Sequence, residues 1–203
     1  MYTQESFTKR QMVLDLAVKY GYNEKHASLV EAASLMIFDA LEKLHKMGCE
    51  ERSLLSHASL LHDIGAHINS TKHNKHSKYL IENDERLNEY PKKEKELLAL
   101  LVYNHTRKVN KGTLALEKKD RNIVLKLSSI LSVADSLECT SEEVTIKNIE
   151  IKKSDMLLTL DGITPDEAVE KLTQKKDLFN DVFGLEIKFK QKPIKTETKP
   201  LPV

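Results

Sequence analysis

Apolar residues recur at helical spacing through the first two-thirds of this chain, and the period changes to strand-like alternation only near Thr140. That switch predicts a mainly α fold: a helical bundle followed by a small C-terminal β-β-α-β appendix. Ser6 can cap a helix running to Tyr20, with Gly21 as its stop, and Asn23 can cap a longer one ending before Gly48. In that second helix Val30, Ala33, Ile37, Leu41 and Leu44 share a face, and His26 begins the same stripe. A third helix is expected over Glu50 to Asp63, ended by a positive φ at Gly65. Shorter helices follow at about Lys75 to Glu82 and Lys92 to Asn104, then a long one from Arg121 to Leu137 that buries Val124, Leu127, Leu131 and Ala134. Residues 144–162 alternate as a hairpin, Thr164, Pro165 and Glu167 open a helix through Val182, and LEIKF suggests a third strand.

The expected organisation is a helical metal-binding domain over residues 1–140, an α+β appendix over 141–189 packed on it, and a tail over 190–203 with too little to bury to order itself. The 203 residues suffice for a sizeable core, which must be aliphatic because aromatics make up only 5% and Trp is absent. A net charge of +1 gives no bulk attraction to nucleic acid or membranes. Cys49 and Cys139 are too few for a disulfide framework, and no signal-like or bilayer-length apolar run is present. The expectation is a soluble, cytoplasmic protein. The hairpin offers an edge strand with which a second copy could pair as a homodimer.

Against this pattern, four residues with metal-ligand chemistry begin or end helices beside apolar stripes: His26, the adjacent His62 and Asp63, and Asp135. With eight His and eleven Asp in the chain, about 0.4 His-Asp dipeptides are expected by chance, so the doublet alone carries little. Its context carries more. LLHDIG places the pair in the last turn of a helix, where two successive side chains can approach one point, and Asp135 flanks the buried Ala134. Unpaired charge at such places is costly, and a divalent ion resolves the cost. Imidazole and carboxylate suit Mn, Fe, Co, Ni, Zn or Mg without choosing among them. Taken singly, His26 could be a core histidine bonded to a carbonyl, and Asp135 a helix-to-helix hydrogen bond.

Three more histidines stand nearby. His73 and His76 are three apart on one helix, and His105 ends the apolar stripe of the next; His76 and His105 could hold a second ion or contact a phosphate, whereas His73 could simply be exposed. His45, His57 and His67 have no such support. Among the neighbouring cations, Lys75 and Arg107 could face an anionic, phosphate-bearing substrate, although in a chain with 31% charged residues most lysines merely solvate a helix.

His26, LLHDIG and SVADSLE together resemble the HD superfamily of metal-dependent phosphohydrolases. More narrowly, HNKHSKYLIEN, LLALLVYNHTRK, LKLSSILSVADSLE and KKDLFNDVFGLEI are similar to the C-terminal region of the exopolyphosphatase and guanosine pentaphosphate phosphatase family, from about Phe7 to Phe189. The resemblance implies His26, His62, Asp63 and Asp135 as metal ligands, and His76 and His105 as positions where some HD proteins bind a second ion or phosphate. That family's phosphatase unit is an actin-like fold with Gly-rich phosphate loops, which the present six glycines do not supply. Many members also lack an intact doublet here, which this chain keeps. The expectation is therefore a stand-alone hydrolase in which a metal-activated water attacks a nucleotide or other small phosphate ester or anhydride, with Asp63 as ligand and proton acceptor and His76, His105, Arg107 and Lys75 holding phosphate. An alarmone of the guanosine tetra- or pentaphosphate type is one candidate substrate by family association. The alternative is a non-catalytic HD regulatory or binding module.

Overall fold

The structure is a computed structural model that describes residues 4–106, 109–138, 144–173 and 176–191. Helix α1 (Gln4–Lys19) buries Val13, Leu16 and Ala17 and ends at Gly21, whose φ of 61° only glycine adopts without cost. Helix α2 (Glu24–Ala40) is capped as its sequence predicts: the Asn23 side chain accepts the His26 backbone N–H at 3.1 Å. The expected continuation to Gly48 is corrected at Leu41. Its N–H is shared between the Ile37 and Phe38 carbonyls, one further turn forms as α3 (Glu42–His45), and Lys46 at φ 56° stops it. The buried His45 ring lies 2.8 Å from the Phe38 carbonyl and accepts the Met47 N–H, so this histidine serves the break.

Helix α4 (Cys49–Leu61) carries the His-Asp doublet just past its end, where a 3-10 turn, Ile64–His67, redirects the chain into α5 (His73–Asn83). The expected positive φ at Gly65 is absent. Gly65 is needed for close approach instead: a Cβ there would lie 2.1 Å from the His73 carbonyl oxygen and 2.3 Å from the Ser77 nitrogen. A short 3-10 turn, Glu85–Leu87, leads to α6 (Lys92–Asn104), whose bounds are those expected from the sequence. Helix α7 (Lys111–Ala115) has too few residues to show a period and was not anticipated; the long α8 (Lys118–Glu138) follows.

The fold is mainly α with a small sheet. Strands β1 (Thr145–Lys152) and β2 (Asp155–Asp161) form the expected hairpin, with a bulge between Ile146 and Asn148. The helix expected to run to Val182 is two: α9 (Pro165–Leu172), opened by the Thr164–Glu167 capping box, and α10 (Asp177–Phe183), ended by Gly184 at φ 66°. Their path returns the chain to the starting end of β2, so β3 (Glu186–Gln191) joins that strand in parallel, in the order β1-β2-β3. Helices α2, α4, α6 and α8 pack on one another, α2 also meets β1, and α9 and α10 lie on α8. One aliphatic core thus runs from Val13 through Leu61, Leu101 and Leu131 to Met156 and Phe179. No helix among the described residues is long and apolar enough to cross a membrane. The tail beyond Gln191 and Cys139 lie outside the described residues.

Two buried polar links hold the helices in place. Asp84 accepts from Lys19, the last residue of α1, and from the hydroxyl of the adjoining Tyr20; burial opposes its ionisation, but those bonds and the Arg86 N–H outweigh it and hold the carboxyl at about 2. His57 on α4 pairs with the Tyr90 hydroxyl at 2.8 Å. Burial, reinforced by the positive charge of Arg10, pulls the His57 imidazole from 6.5 down to about 4. The unfolded chain thus takes up a proton near pH 6.5 that the folded chain refuses until about pH 4, and stability falls as pH drops through that window. The loss is on the order of 3 kcal/mol. His57→Gln, which keeps a partner for Tyr90, flattens this decline; urea unfolding at pH 7 and pH 4.5 measures it, and an undiminished decline in the variant refutes the assignment.

Candidate metal centre

Five helices and one turn of the fold converge on six side chains. His26 enters from the first turn of α2, His62 from the end of α4, Asp63 from the following turn, His73 from the start of α5, His105 from the end of α6 and Asp135 from α8. They form two groups whose donor atoms lie within 4.8 Å of one another: His26, His62 and Asp135 in one, Asp63, His73 and His105 in the other. In the first, the Nε2 atoms of His26 and His62 are 3.2 Å apart and each is 3.5 Å from Asp135 Oδ1. In the second, the Nε2 atoms of His73 and His105 are 3.1 Å apart and lie 3.3 Å and 4.0 Å from Asp63 Oδ1.

Asp63 joins the groups. Its other oxygen, Oδ2, is 3.5 Å from His62 Nε2 and 3.8 Å from His26 Nε2, so one carboxylate turns a separate oxygen toward each set. Its backbone, at φ −107° and ψ 2°, sits in the sparsely used bridge region that functional side chains often occupy. Asp63 is also the accessible carboxylate of the two, its side chain 45% exposed against 7% for Asp135.

The donor chemistry fits cations. Three of the four rings are oriented by the same local device, an Nδ1 facing the carbonyl three residues earlier: His62 on Ser59 at 2.8 Å, His105 on Val102 at 2.5 Å and His73 on Ser70 at 3.2 Å. The carbonyl requires the proton on Nδ1, which leaves the Nε2 lone pair pointing inward. Two such lone pairs then face each other across 3.1 Å between His73 and His105, a repulsive arrangement unless a positive charge sits between them. Donors around an ion with bonds of about 2.1 Å stand about 3.0–3.4 Å apart, close to the spacings here. Without a metal, protons take up part of that role. Burial opposes charging of His62, yet the hydrogen bond to Asp135 and the charges of Asp63 and Asp135 prevail and raise it to about 9. Burial, followed by the charge on His62, depresses His105 to about 4.

Of the residues singled out in the sequence, His26, His62, Asp63, Asp135 and His105 are thus brought together. His76 is not in either donor group; it is half-buried one turn beyond His73, with its Cβ 2.8 Å from where a Gly65 Cβ would stand. The place beside His105 belongs to His73, which the sequence favours less than His76 for such a role. The cue lay in the start of α5: a helix beginning at His73 rather than Lys75 turns His73 toward the doublet and His76 toward Gly65. Lys75 is exposed on α5, and Arg107 lies outside the described residues. His67 is exposed and meets the edge of the Tyr20 ring at 5.3 Å.

The family model for Ppx/GppA phosphatase, domain III, matches residues 9–178, a span that takes in all six side chains. The chain is also similar to a guanosine-5'-triphosphate,3'-diphosphate pyrophosphatase of Aeromonas salmonicida (strain A449), at 27% identity over 145 residues, 70% of this chain and 29% of that protein. It therefore spans less than a third of that relative's length.

Proposed function

This chain belongs to the Ppx/GppA phosphatase domain III family, and on that premise we propose that it hydrolyses a phosphate ester or anhydride at a centre for two divalent cations. The observation that carries this reading is Asp63, whose two oxygens face two separate histidine groups. His26, His62 and Asp135 would hold one ion, His73 and His105 the other, and Asp63 would be shared. Bound there, divalent ions supply positive charge against phosphoryl oxygens and lower the pKa of water. The protein's own contribution is orientation. The carbonyls of Ser59, Ser70 and Val102 keep three rings in one tautomer, so little reorganisation is left for the reaction itself. Asp63, the more exposed of the two carboxylates, would take the proton of the attacking water. Lys75 and Arg107 are the cations proposed to meet the phosphate. The substrate class is a nucleotide or small phosphate compound; the printed name of the Aeromonas relative makes a guanosine 5'-triphosphate 3'-diphosphate type compound the first to assay.

One observation favours a second reading, a binding module without turnover: the similarity lies in domain III and covers 29% of the relative. Metal analysis of the purified chain, followed by phosphomonoesters, phosphodiesters and nucleotides with added Mn, Co or Ni, separates the two. The hydrolase reading expects turnover that needs the metal and is lost in Asp63→Ala. Bound metal with no turnover across the panel leaves the binding module.

A further inference from the structure

A buried hydroxyl ties the turn that carries Asp63 to α5. Ser77 Oγ donates to the His62 carbonyl and accepts the Gly65 N–H, both at 2.8 Å, and the side chain is fully buried. The His62 carbonyl belongs to the end of α4 and the Gly65 N–H to the start of the next turn, so neither has a place in a regular helical ladder. They flank Asp63 on either side. Ser77 stands four residues after His73, hence one turn along the same face of α5. Gly65 completes the fit, because α5 lies so close that a Cβ there would overlap the backbone at His73 and Ser77.

We infer that Ser77 is a positioning residue that, with the bare backbone of Gly65, sets the gap between Asp63 and His73 and so assembles the second cation group. This rests on the two-cation reading above and adds to it the residue on which the second ion depends. The first group leans less on this link: His26 and Asp135 come from α2 and α8, and although the His62 carbonyl meets Ser77, the His62 ring is oriented by Ser59 within α4. A purely structural hydroxyl would weaken both groups alike or neither. A positioning one weakens the second selectively.

Ser77→Ala is tested by manganese titration and by the electron paramagnetic resonance of the loaded protein, in which a pair of neighbouring ions gives an exchange-coupled signal. The expected result is an unchanged first ion, a second ion bound at least about tenfold more weakly, as for loss of a ligand-orienting partner, and an isolated-ion spectrum in place of the coupled one. Ser128→Ala is the control, since Ser128 Oγ makes a similar buried bond to the Leu101 carbonyl away from the turn; it is expected to keep both ions. Gly65→Ala, which pushes α5 off the turn, is expected to act like Ser77→Ala and tests the inference again should that variant fold poorly. Two ions at wild-type affinity in Ser77→Ala, or equal loss of both, overturns the positioning role. A wild-type protein that binds fewer than two ions overturns the two-cation reading first, and the role of Ser77 with it.

Discussion

Asp63→Ala is expected to lower turnover on the order of 10³-fold or more while the fold melts within a few degrees of wild type. Two losses coincide in this variant. The carboxylate that faces both histidine groups is gone, so the second group keeps only His73 and His105, and the proposed proton acceptor goes with it; a positioned general base alone is worth about 10²–10⁴-fold. Stability should change little because the side chain is 45% exposed and stands outside the core. Asp63→Asn refines the point by keeping the shape and removing the charge. If it also abolishes turnover but keeps both ions, proton transfer is the larger share of the loss; if it loses the second ion, charge at the bridge is. Assay of both variants with saturating Mn, alongside metal content, distinguishes them. Wild-type turnover in Asp63→Ala would remove this residue from the chemistry altogether.

Asp135→Ala should have the second large effect, and through the other group. Asp135 Oδ1 is 3.5 Å from both His26 and His62, and its side chain is 7% exposed. Removing it leaves the first ion two imidazoles and only an oxygen of the shared Asp63, a poorer site for a divalent ion that favours hard anionic donors. The first ion is expected to bind at least about 100-fold more weakly. A ligand present at 100 times its dissociation constant stabilises the folded state by about 2.7 kcal/mol, so adding Mn should raise the melting temperature of wild type clearly more than that of Asp135→Ala, which keeps only the second group intact. Full metal content in both Asp135→Ala and His26→Ala would show that the four residues first noticed in the sequence are not one site.

Much of this centre is legible in the sequence because its components are local. Asn23 announces the start of α2 and thereby the inward direction of His26; LLHDIG announces a helix end; Ala134 marks the buried side of α8 on which Asp135 borders. Such signals act over one or two turns, the range over which a cap or an apolar period operates. The misread elements share a different cause. The break at Leu41 depends on a histidine that reaches back to the Phe38 carbonyl. The parallel pairing of β3 follows from the route of α9 and α10, and nothing within LEIKF specifies a partner.

Gly65 shows the division most clearly. As a letter after a helix it reads as a left-handed stop, yet its φ is not positive, and what demands glycine is the backbone of α5 lying against it. The same contact turns His73, rather than His76, toward Asp63. Periodicity, caps and residue chemistry are properties of short stretches of chain, and they suffice for the helical body, the small sheet after Thr140 and the grouping of His26, His62 and Asp135. Which histidine stands beside His105, and that one carboxylate faces both groups, depend on how closely α4 and α5 approach across the turn where Gly65 and Ser77 meet, a distance no short stretch of chain encodes.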